Sequence, residues 1–478
     1  MVVGNLSESS EVAVVGAGTG GYVAAIRLAQ YGKEVALISQ DPLPGGECLH
    51  RGCIPSKALI EVGNFLSRIQ NSRNIGVEVE RVRLDFPKVQ EWKVGVIAQL
   101  AKGVQQILKQ HGVTFHFGKA NLTGAHEMEV QTAEGVKRIH FESGVLATGS
   151  YPAPLPGVEF DGVRVLSSEH ALNLSAVPER LLVIGGGYIG LELGQAYAHF
   201  GSEVMVVEAT EDILPGVDPD LKRPLKKKLE AQGIAVRLKT RFQALRKGRA
   251  GLEVDLELES GKLETVKASH LLVAVGRKPR SSGWGLETAG VALDKQGFVR
   301  INEKCQTNLP HLYAIGDLAG GMMLAHKAFR EGAVAAANIA GHKDAFDNQV
   351  PAVIFTDPEI AYVGLFDSQA RALGVETKTG LFSLAVNGRA LTLNEPEGFI
   401  KVVAETATGR ILGAQMTGPH VSDLISEATL AIEMGATAED LALTIHPHPT
   451  LGEALHEAAE GVMGMSIHRY QGRSKLGK

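Results

Sequence analysis

The stretch Val12-Ala13-Val14-Val15-Gly16-Ala17-Gly18-Thr19-Gly20-Gly21 runs from four apolar residues into a cluster of glycines, and small and aliphatic residues at helical spacing follow from Val23 to Ala29. That order reads as strand, glycine turn, helix. A second aliphatic run, Val35 to Ile38, begins about twenty residues after the turn and completes a parallel strand-helix-strand unit. The unit then repeats. Arg180 to Ile184 leads into Gly185-Gly186-Gly187-Tyr188-Ile189-Gly190, a helical stretch covers Leu191 to Phe200, and Val204 to Val207 supplies the next strand.

A pyrophosphate bound at such a turn needs backbone N–H groups and the positive end of a helix at close range, with no side chain in the way. Gly16, Gly18 and Gly21 in the first unit meet that demand, as do Gly185, Gly187 and Gly190 in the second. One such match carries little weight. Two, each with its strand before and its helix after, point to two dinucleotide folds in one chain. The second unit also selects its nucleotide. Glu208 ends the strand after the turn, where a carboxylate accepts hydrogen bonds from ribose hydroxyls, and Glu211 and Asp212 follow with no arginine beside them in sequence. A 2′-phosphate would be repelled, so NAD is expected rather than NADP. The equivalent position of the first unit is Ser39, which offers a neutral hydroxyl instead.

Three further strand-turns lie outside these units: Leu146-Ala147-Thr148-Gly149-Ser150, Val273-Ala274-Val275-Gly276-Arg277-Lys278-Pro279, and Leu312-Tyr313-Ala314-Ile315-Gly316-Asp317, the last preceding a helical pattern from His326 to Ala340. From about Pro351 the character changes, with short strands around Val353 and Lys401 and helices around Leu424 and Ala436, which reads as a separate C-terminal domain. The fold class is therefore α/β, with two Rossmann-like dinucleotide-binding domains and a C-terminal α+β domain, and with boundaries near residues 150, 280 and 350. The polar, basic end from Arg469 to Lys478 reads as a frayed tail.

Composition fits a globular chain of several domains. The 478 residues are 44% hydrophobic and 21% charged, which disfavours disorder and fibres. With 48 basic and 53 acidic residues the formal charge is −5, so there is no general attraction for nucleic acid or anionic membranes. No apolar run reaches the roughly 20 residues of a membrane span. Only Cys48, Cys53 and Cys305 occur, too few for a secreted disulfide framework. A soluble protein of a reducing compartment, the cytoplasm, is expected, with no metal site.

Cys48 and Cys53 stand in Gly45-Gly46-Glu47-Cys48-Leu49-His50-Arg51-Gly52-Cys53-Ile54-Pro55-Ser56-Lys57. Five steps of ~100° leave the two side chains about 140° apart on an undistorted helix, so a disulfide needs a bent backbone. Gly52 and Pro55 allow one. A sulfur at a helix start, near Arg51 or Lys57, would have its thiolate stabilised, as exchange chemistry requires. A redox-active pair is the reading these residues favour, with inert structural thiols and metal ligation as alternatives; a metal would need more ligands than this pair supplies. Cys305 is read as a buried small apolar residue.

Along nearly the whole chain, and in order, the run from Gly45 to Lys57, the two glycine fingerprints, Ala147-Thr148-Gly149, Ala314-Ile315-Gly316-Asp317 and His446-Pro447-His448-Pro449-Thr450 resemble the flavoprotein disulfide reductases, and among them the branch that oxidises dihydrolipoyl groups. The resemblance implies FAD at the first fingerprint and the nicotinamide nucleotide at the second. It divides the chain into 1–150, the first part of the FAD-binding domain; 151–280, the NAD-binding domain; 281–350, a central domain completing the FAD site; and 351–478, a dimerisation domain. Lys57 and Glu192 would form an ion pair beside the flavin's reactive nitrogen, and Asp317 would hold its ribityl or phosphate region. Ala147, Thr148, Gly149, Gly276 and Ala325 would be further cofactor contacts. Tyr188 would align with a nicotinamide-gating position, core packing being an equal reading for it, and His326 would be a helix-start contact near the flavin.

The chemistry also calls for a base. A thiol with pKa near 8.5 pays about 2 kcal/mol to ionise at neutral pH, which a nearby imidazole helps to offset. The resemblance assigns this role to His448, reaching the disulfide of the opposite subunit, with Glu453 orienting the ring and His446 a supporting neighbour at most. It implies a homodimer that meets a dihydrolipoyl acyltransferase core or lipoyl carrier protein of a 2-oxoacid dehydrogenase or glycine cleavage complex. Glutathione-type relatives would place arginines after the second nucleotide strand, and mercuric reductases would carry another cysteine pair near the C-terminus. Those two, and a non-catalytic NAD/NADH sensor, are the alternatives.

Overall fold

Val12–Val15 and Val35–Ile38 are at most 2% exposed, as strands covered on both faces of a parallel sheet must be. The computed structural model describes residues 6–249 and 251–470. Its first sheet has seven strands, ordered Thr114–Phe117, Val35–Ser39, Leu6–Val15, Gly135–Leu146, Glu127–Thr132 and Lys119–Gly124, with Leu312–Ala314 paired beside the end of Gly135–Leu146. Val14 faces Leu37 on one side and Val145 on the other, all in parallel register. The Leu312–Ala314 segment thus rejoins the sheet that began the chain. The helix Thr19–Gln30 covers this sheet and packs on Ala325–Ile339.

The second unit builds a five-stranded parallel sheet, Ala235–Arg237, Glu203–Val207, Arg180–Ile184, His270–Val273 and Val165–Leu166, with Tyr188–His199 against it. A separate antiparallel three-stranded sheet spans Arg241–Gly248, Gly251–Glu257 and Leu263–Ala268. Two connections between the nucleotide sheets pair with each other, Ser150–Pro152 against Arg277–Pro279. The C-terminal sheet has five antiparallel strands, ordered Ala352–Ile354, Glu359–Gly364, Ile411–Gly418, Phe399–Glu405 and Thr377–Ser383, and the helices Val421–Glu433 and Glu453–Val462 pack on it.

Three local expectations change. The helix of the second unit begins at Tyr188 rather than Leu191, directly on the glycine turn. Ala436 lies in the turn between Val421–Glu433 and Ala438–Leu443, not inside a helix. The Phe86–Gln110 helix, capped by Asp85 accepting from the Lys88 N–H, has no counterpart in the sequence reading. Residues 471–478, most of the basic tail, and residues 1–5 lie outside the described residues. Among the described residues no helix is long and apolar enough to cross a membrane.

Candidate redox and dinucleotide site

The backbone breaks where the cysteine pair requires it. Gly46–Arg51 is a short helix, Gly52 (φ −137°, ψ −102°) turns the chain, and Cys53 opens the helix Cys53–Gln70. Cys48 and Cys53 are disulfide-bonded, with Cα atoms 4.7 Å apart, inside the usual span for such a bond. The bend falls at Gly52, while Pro55 sits within the first turn of the helix, where its missing N–H costs nothing. Cys53 therefore lies at the positive end of an 18-residue helix, an environment that favours a thiolate.

Arg51 and Lys57 line the same cavity as the two cysteines, and each is also held by carboxylates. Arg51 makes two 2.8 Å hydrogen bonds to Asp41 and lies 3.4 Å from Glu47 and 3.5 Å from Glu169. Burial opposes it, but the Arg51 guanidinium holds the Asp41 carboxyl below its ordinary range. Lys57 Nζ is 2.8 Å from Glu192 and 4.4 Å above the Phe355 ring, and the other Glu192 oxygen accepts from the Phe355 N–H at 2.9 Å.

Both cysteines line a cavity of about 470 Å³. Gly16, Gly18, Lys57, Ala147, Thr148, Gly149, Glu192, Asp317 and Ala325 share its wall, whereas Gly21, packed behind it, does not. Gly185, Gly187, Gly190, Glu208 and Gly276 lie outside, although Tyr188 and Ile189, from the second turn, line it. The two units also meet where the helix Cys53–Gln70 packs on Tyr188–His199. His448 and Glu453 are not among the lining residues. His326 is not either; its Nε2 donates to the Pro351 carbonyl at 2.7 Å. Cys305 is buried and free, its thiol pushed up to about 12 by burial.

The glycines test whether a dinucleotide fits. At Gly16 (φ +105°) a Cβ would strike the Ala147 carbonyl, and at Gly185 (φ +114°) it would strike the Ala274 carbonyl. Those requirements come from the protein itself. At Gly18 the nearest atom to a Cβ is 4.0 Å away, and at Gly187 nothing lies within 4 Å. The absence of a side chain there leaves the helix N-terminus open to close approach, which is the clearance a pyrophosphate needs.

Around the cavity mouth the ribbon that joins the domains brings in residues the sequence reading passed over. Arg277 donates to Ser150 Oγ at 2.7 Å, lies 2.9 Å from Glu47 and 3.9 Å from Asp317, and Ser150 Oγ also bonds Asp317. Arg280 donates to the Ser150 carbonyl at 2.8 Å, and Thr148 Oγ1 donates to the Arg280 carbonyl at 2.8 Å. The only local hint was a charged residue directly after Gly276 at the end of a buried strand.

In the second unit Glu208 is buried. One oxygen accepts from the Gly186 N–H at 2.7 Å and the other from Thr210 N–H and Oγ1, both at 2.8 Å. The neighbouring strand brings Arg237 beside Val207, an arginine the linear sequence does not place there, but its guanidinium is held 2.7 Å from Glu264. In the C-terminal domain His448 Nδ1 donates to Glu453 Oε1 at 2.8 Å, while Glu453 Oε2 accepts from the Thr450 N–H at 2.8 Å. Burial works the other way, yet that N–H and His448 keep the Glu453 carboxyl below its ordinary range. The His448 side chain is 80% exposed.

Residues 10–332 match the pyridine nucleotide-disulphide oxidoreductases, and residues 350–459 match the dimerisation domain of that family. The chain belongs to this family. Among its relatives in the family, dihydrolipoyl dehydrogenase of Geobacillus stearothermophilus is 45% identical over 98% of this chain and 99% of that protein, and dihydrolipoyl dehydrogenase of Bacillus subtilis is 43% identical over the same shares. Of solved structures, LpdA of Mycobacterium tuberculosis superposes with a TM-score of 0.88 at 27% identity, covering 94% of this chain and 99% of that one. A HOCl-induced flavoprotein disulfide reductase of Escherichia coli gives 0.84 at 26% identity, with coverage of 94% and 99%. As a member of the pyridine nucleotide-disulphide oxidoreductases the chain is an oxidoreductase whose cofactors are FAD and NAD.

Proposed function

We propose that the chain oxidises a dihydrolipoyl dithiol to the lipoyl disulfide, with NAD as the final acceptor, as the shared component of a 2-oxoacid dehydrogenase or glycine cleavage complex in the cytoplasm. The observation that carries this reading is the Cys48–Cys53 disulfide in the wall of a glycine-cradled cavity, in a chain that resembles dihydrolipoyl dehydrogenases from end to end. The substrate dithiol would arrive on an acyltransferase core or a lipoyl carrier protein.

His448 Nε2 takes a proton from one substrate thiol while Glu453 holds the ring and stabilises its charged form. The resulting thiolate attacks Cys48 Sγ, the Cys48–Cys53 bond breaks, and Cys53 leaves as a thiolate favoured by its helix terminus. The second substrate thiol then gives up its proton as its sulfur attacks the first, closing the lipoyl disulfide; Cys48 leaves with its electron pair and takes up that proton. The dithiol has lost two electrons and the cysteine pair has gained them. When bound, FAD would supply a ring able to accept this electron pair and to return it to NAD as hydride. Lys57 and Glu192, an ion pair in the wall of the cavity that the cysteines also line, would stand next to the flavin; Ala147, Thr148, Gly149, Ala325 and Asp317 would hold the rest of the FAD, and Gly185, Gly187, Gly190, Glu208 and Gly276 would hold NAD.

His448 does not line its own subunit's cavity, so the base reaches a second copy's disulfide in a C2 homodimer. The apolar residues exposed near it support this: Ile445 at 95%, Met434 at 76% and Leu443 at 75%. The test is rapid mixing of FAD-loaded protein with dihydrolipoamide and NAD. Wild type should form NADH; Cys48→Ser should keep its flavin and form none; His448→Gln should be slower by about 100-fold or more. Full turnover by either variant, or an active monomer on gel filtration, would refute the reading.

A further inference from the structure

Two residues before His448 the chain carries a second histidine in the opposite setting. The His446 side chain is 7% exposed. Its Nε2 lies 2.9 Å from Glu427 Oε1, on the helix Val421–Glu433, and its Nδ1 lies 2.8 Å from the Thr444 carbonyl. Both ring nitrogens are thus engaged, one by a carboxylate and one by a backbone carbonyl. The His456 ring packs 5.4 Å away and closes the slot. At the far end of the segment Asn387, itself buried, donates to the Thr450 carbonyl at 3.1 Å. His448 projects from the middle, tied to its own subunit through Glu453. Glu453 orients the ring, but the height and direction from which that ring leaves the surface depend on where the backbone between 444 and 450 is pinned.

We propose that His446, locked between Glu427 and the Thr444 carbonyl, is the positioning residue of the base: it fixes the segment that carries His448 and so sets the approach of the imidazole to the substrate thiol. The inference rests on His448 being the base. Displacing a reacting group by about 1 Å costs up to about 100-fold in rate, which is the size of effect at stake.

The test uses FAD-loaded enzyme and two reactions. Dithiol oxidation with NAD needs the base; reduction of an artificial electron acceptor by NADH does not. For His446→Phe, kcat for dithiol oxidation should fall about 10- to 100-fold, while the KM for NAD and the NADH-driven reaction stay within about twofold. Glu427→Gln should cause a smaller loss of the same kind, and adding it to His446→Phe should cost nothing more, since both remove one contact. His446→Gln, which still donates, should recover part of kcat. Full dithiol activity in His446→Phe, multiplying losses in the double variant, or an equal fall in the NADH-driven reaction would each overturn the proposal. If His448→Gln itself turns over normally, the assignment of the base has failed; if His448→Gln is inactive and His446→Phe is not, only the role of His446 has.

Discussion

The two glycine-turn units share one hydrogen-bond pattern in their turns and differ at the ends of the strands that follow. Gly16 N–H donates to Ile38 O and Gly185 N–H to Val207 O, both at 2.8 Å; Ala147 N–H donates to Val15 O and Ala274 N–H to Ile184 O, again at 2.8 Å. In each unit the carbonyl that excludes a side chain at the first glycine belongs to the residue so anchored. The strand ends then part company. Glu208 is a carboxylate that accepts from the Gly186 N–H of its own turn, whereas Ser39 is a hydroxyl that accepts from the Asp41 N–H at 3.1 Å. The first unit does have a nearby carboxylate, Asp41, but spends it on Arg51. The difference separates two tasks. Backbone packing shapes a turn for any dinucleotide, while the strand end decides how tightly and how selectively the ribose is held. A cavity walled by the two cysteine-bearing helices, the Ser168–Leu172 helix and the Asp317 turn offers a dinucleotide contacts from many elements, whereas the second turn offers one buried carboxylate.

The largest effect should come from disturbing what the units share. Gly16→Ala puts a Cβ into the Ala147 carbonyl at φ +105° and should weaken FAD binding by about 100-fold or more, through strain and displacement of the turn. Gly185→Ala should leave flavin bound and impair only the NAD step. Flavin absorbance after gel filtration, followed by NADH-driven reduction, separates the two. If Gly185→Ala also strips the flavin, the units do not act independently. The next effect addresses what they do not share. Glu208→Gln removes a charged acceptor and should raise the KM for NAD by about 10- to 100-fold, while Ser39→Ala should alter FAD affinity by less than about threefold. Equal losses in a fluorescence titration of FAD and in steady-state kinetics would erase the contrast between the ribose ends.

The units were legible because their signals are local: an apolar run, glycines and helical spacing fall within thirty or so residues of one another. The cysteine pair was legible for the same reason, down to the bend at Gly52. Arg277 was not, because its partners Ser150, Glu47 and Asp317 converge only when Ser150–Pro152 pairs with Arg277–Pro279, more than a hundred residues apart. The Phe86–Gln110 helix escaped because its buried residues, Phe86, Lys93, Ala101 and Leu108, form a sparse stripe that includes a lysine. That lysine is 1% exposed, bonds Leu172 O and Asn173 Oδ1, and is pushed down to about 8 by burial, none of which a sequence pattern announces. The Asp41 partner of Arg51 was not legible, because Asp41, ten residues earlier, reaches it only across the folded Gly45-Gly46 turn.

The smallest effect sharpens what Asp41 does in the unit whose strand end is neutral. Both members of the Asp41–Arg51 pair keep about a quarter of their side-chain surface in solvent, so the pair contributes about 1 kcal/mol rather than the several of a sealed one. Its sign with pH follows from the depressed carboxyl of Asp41. The unfolded chain takes up the proton at an ordinary carboxylate value near 4, the folded chain only at lower pH, so the contribution is complete above about pH 4 and disappears as pH falls through the folded value. Asp41→Asn should therefore lower the urea midpoint slightly at neutral pH, and the gap from wild type should close on acidification. A gap that persists unchanged to about pH 3 would mean that hydrogen-bond geometry, which the amide partly keeps, matters more than charge. Asp41 would then serve the first unit as a strut, and the electrostatic contrast with Glu208 would rest on the ribose end alone.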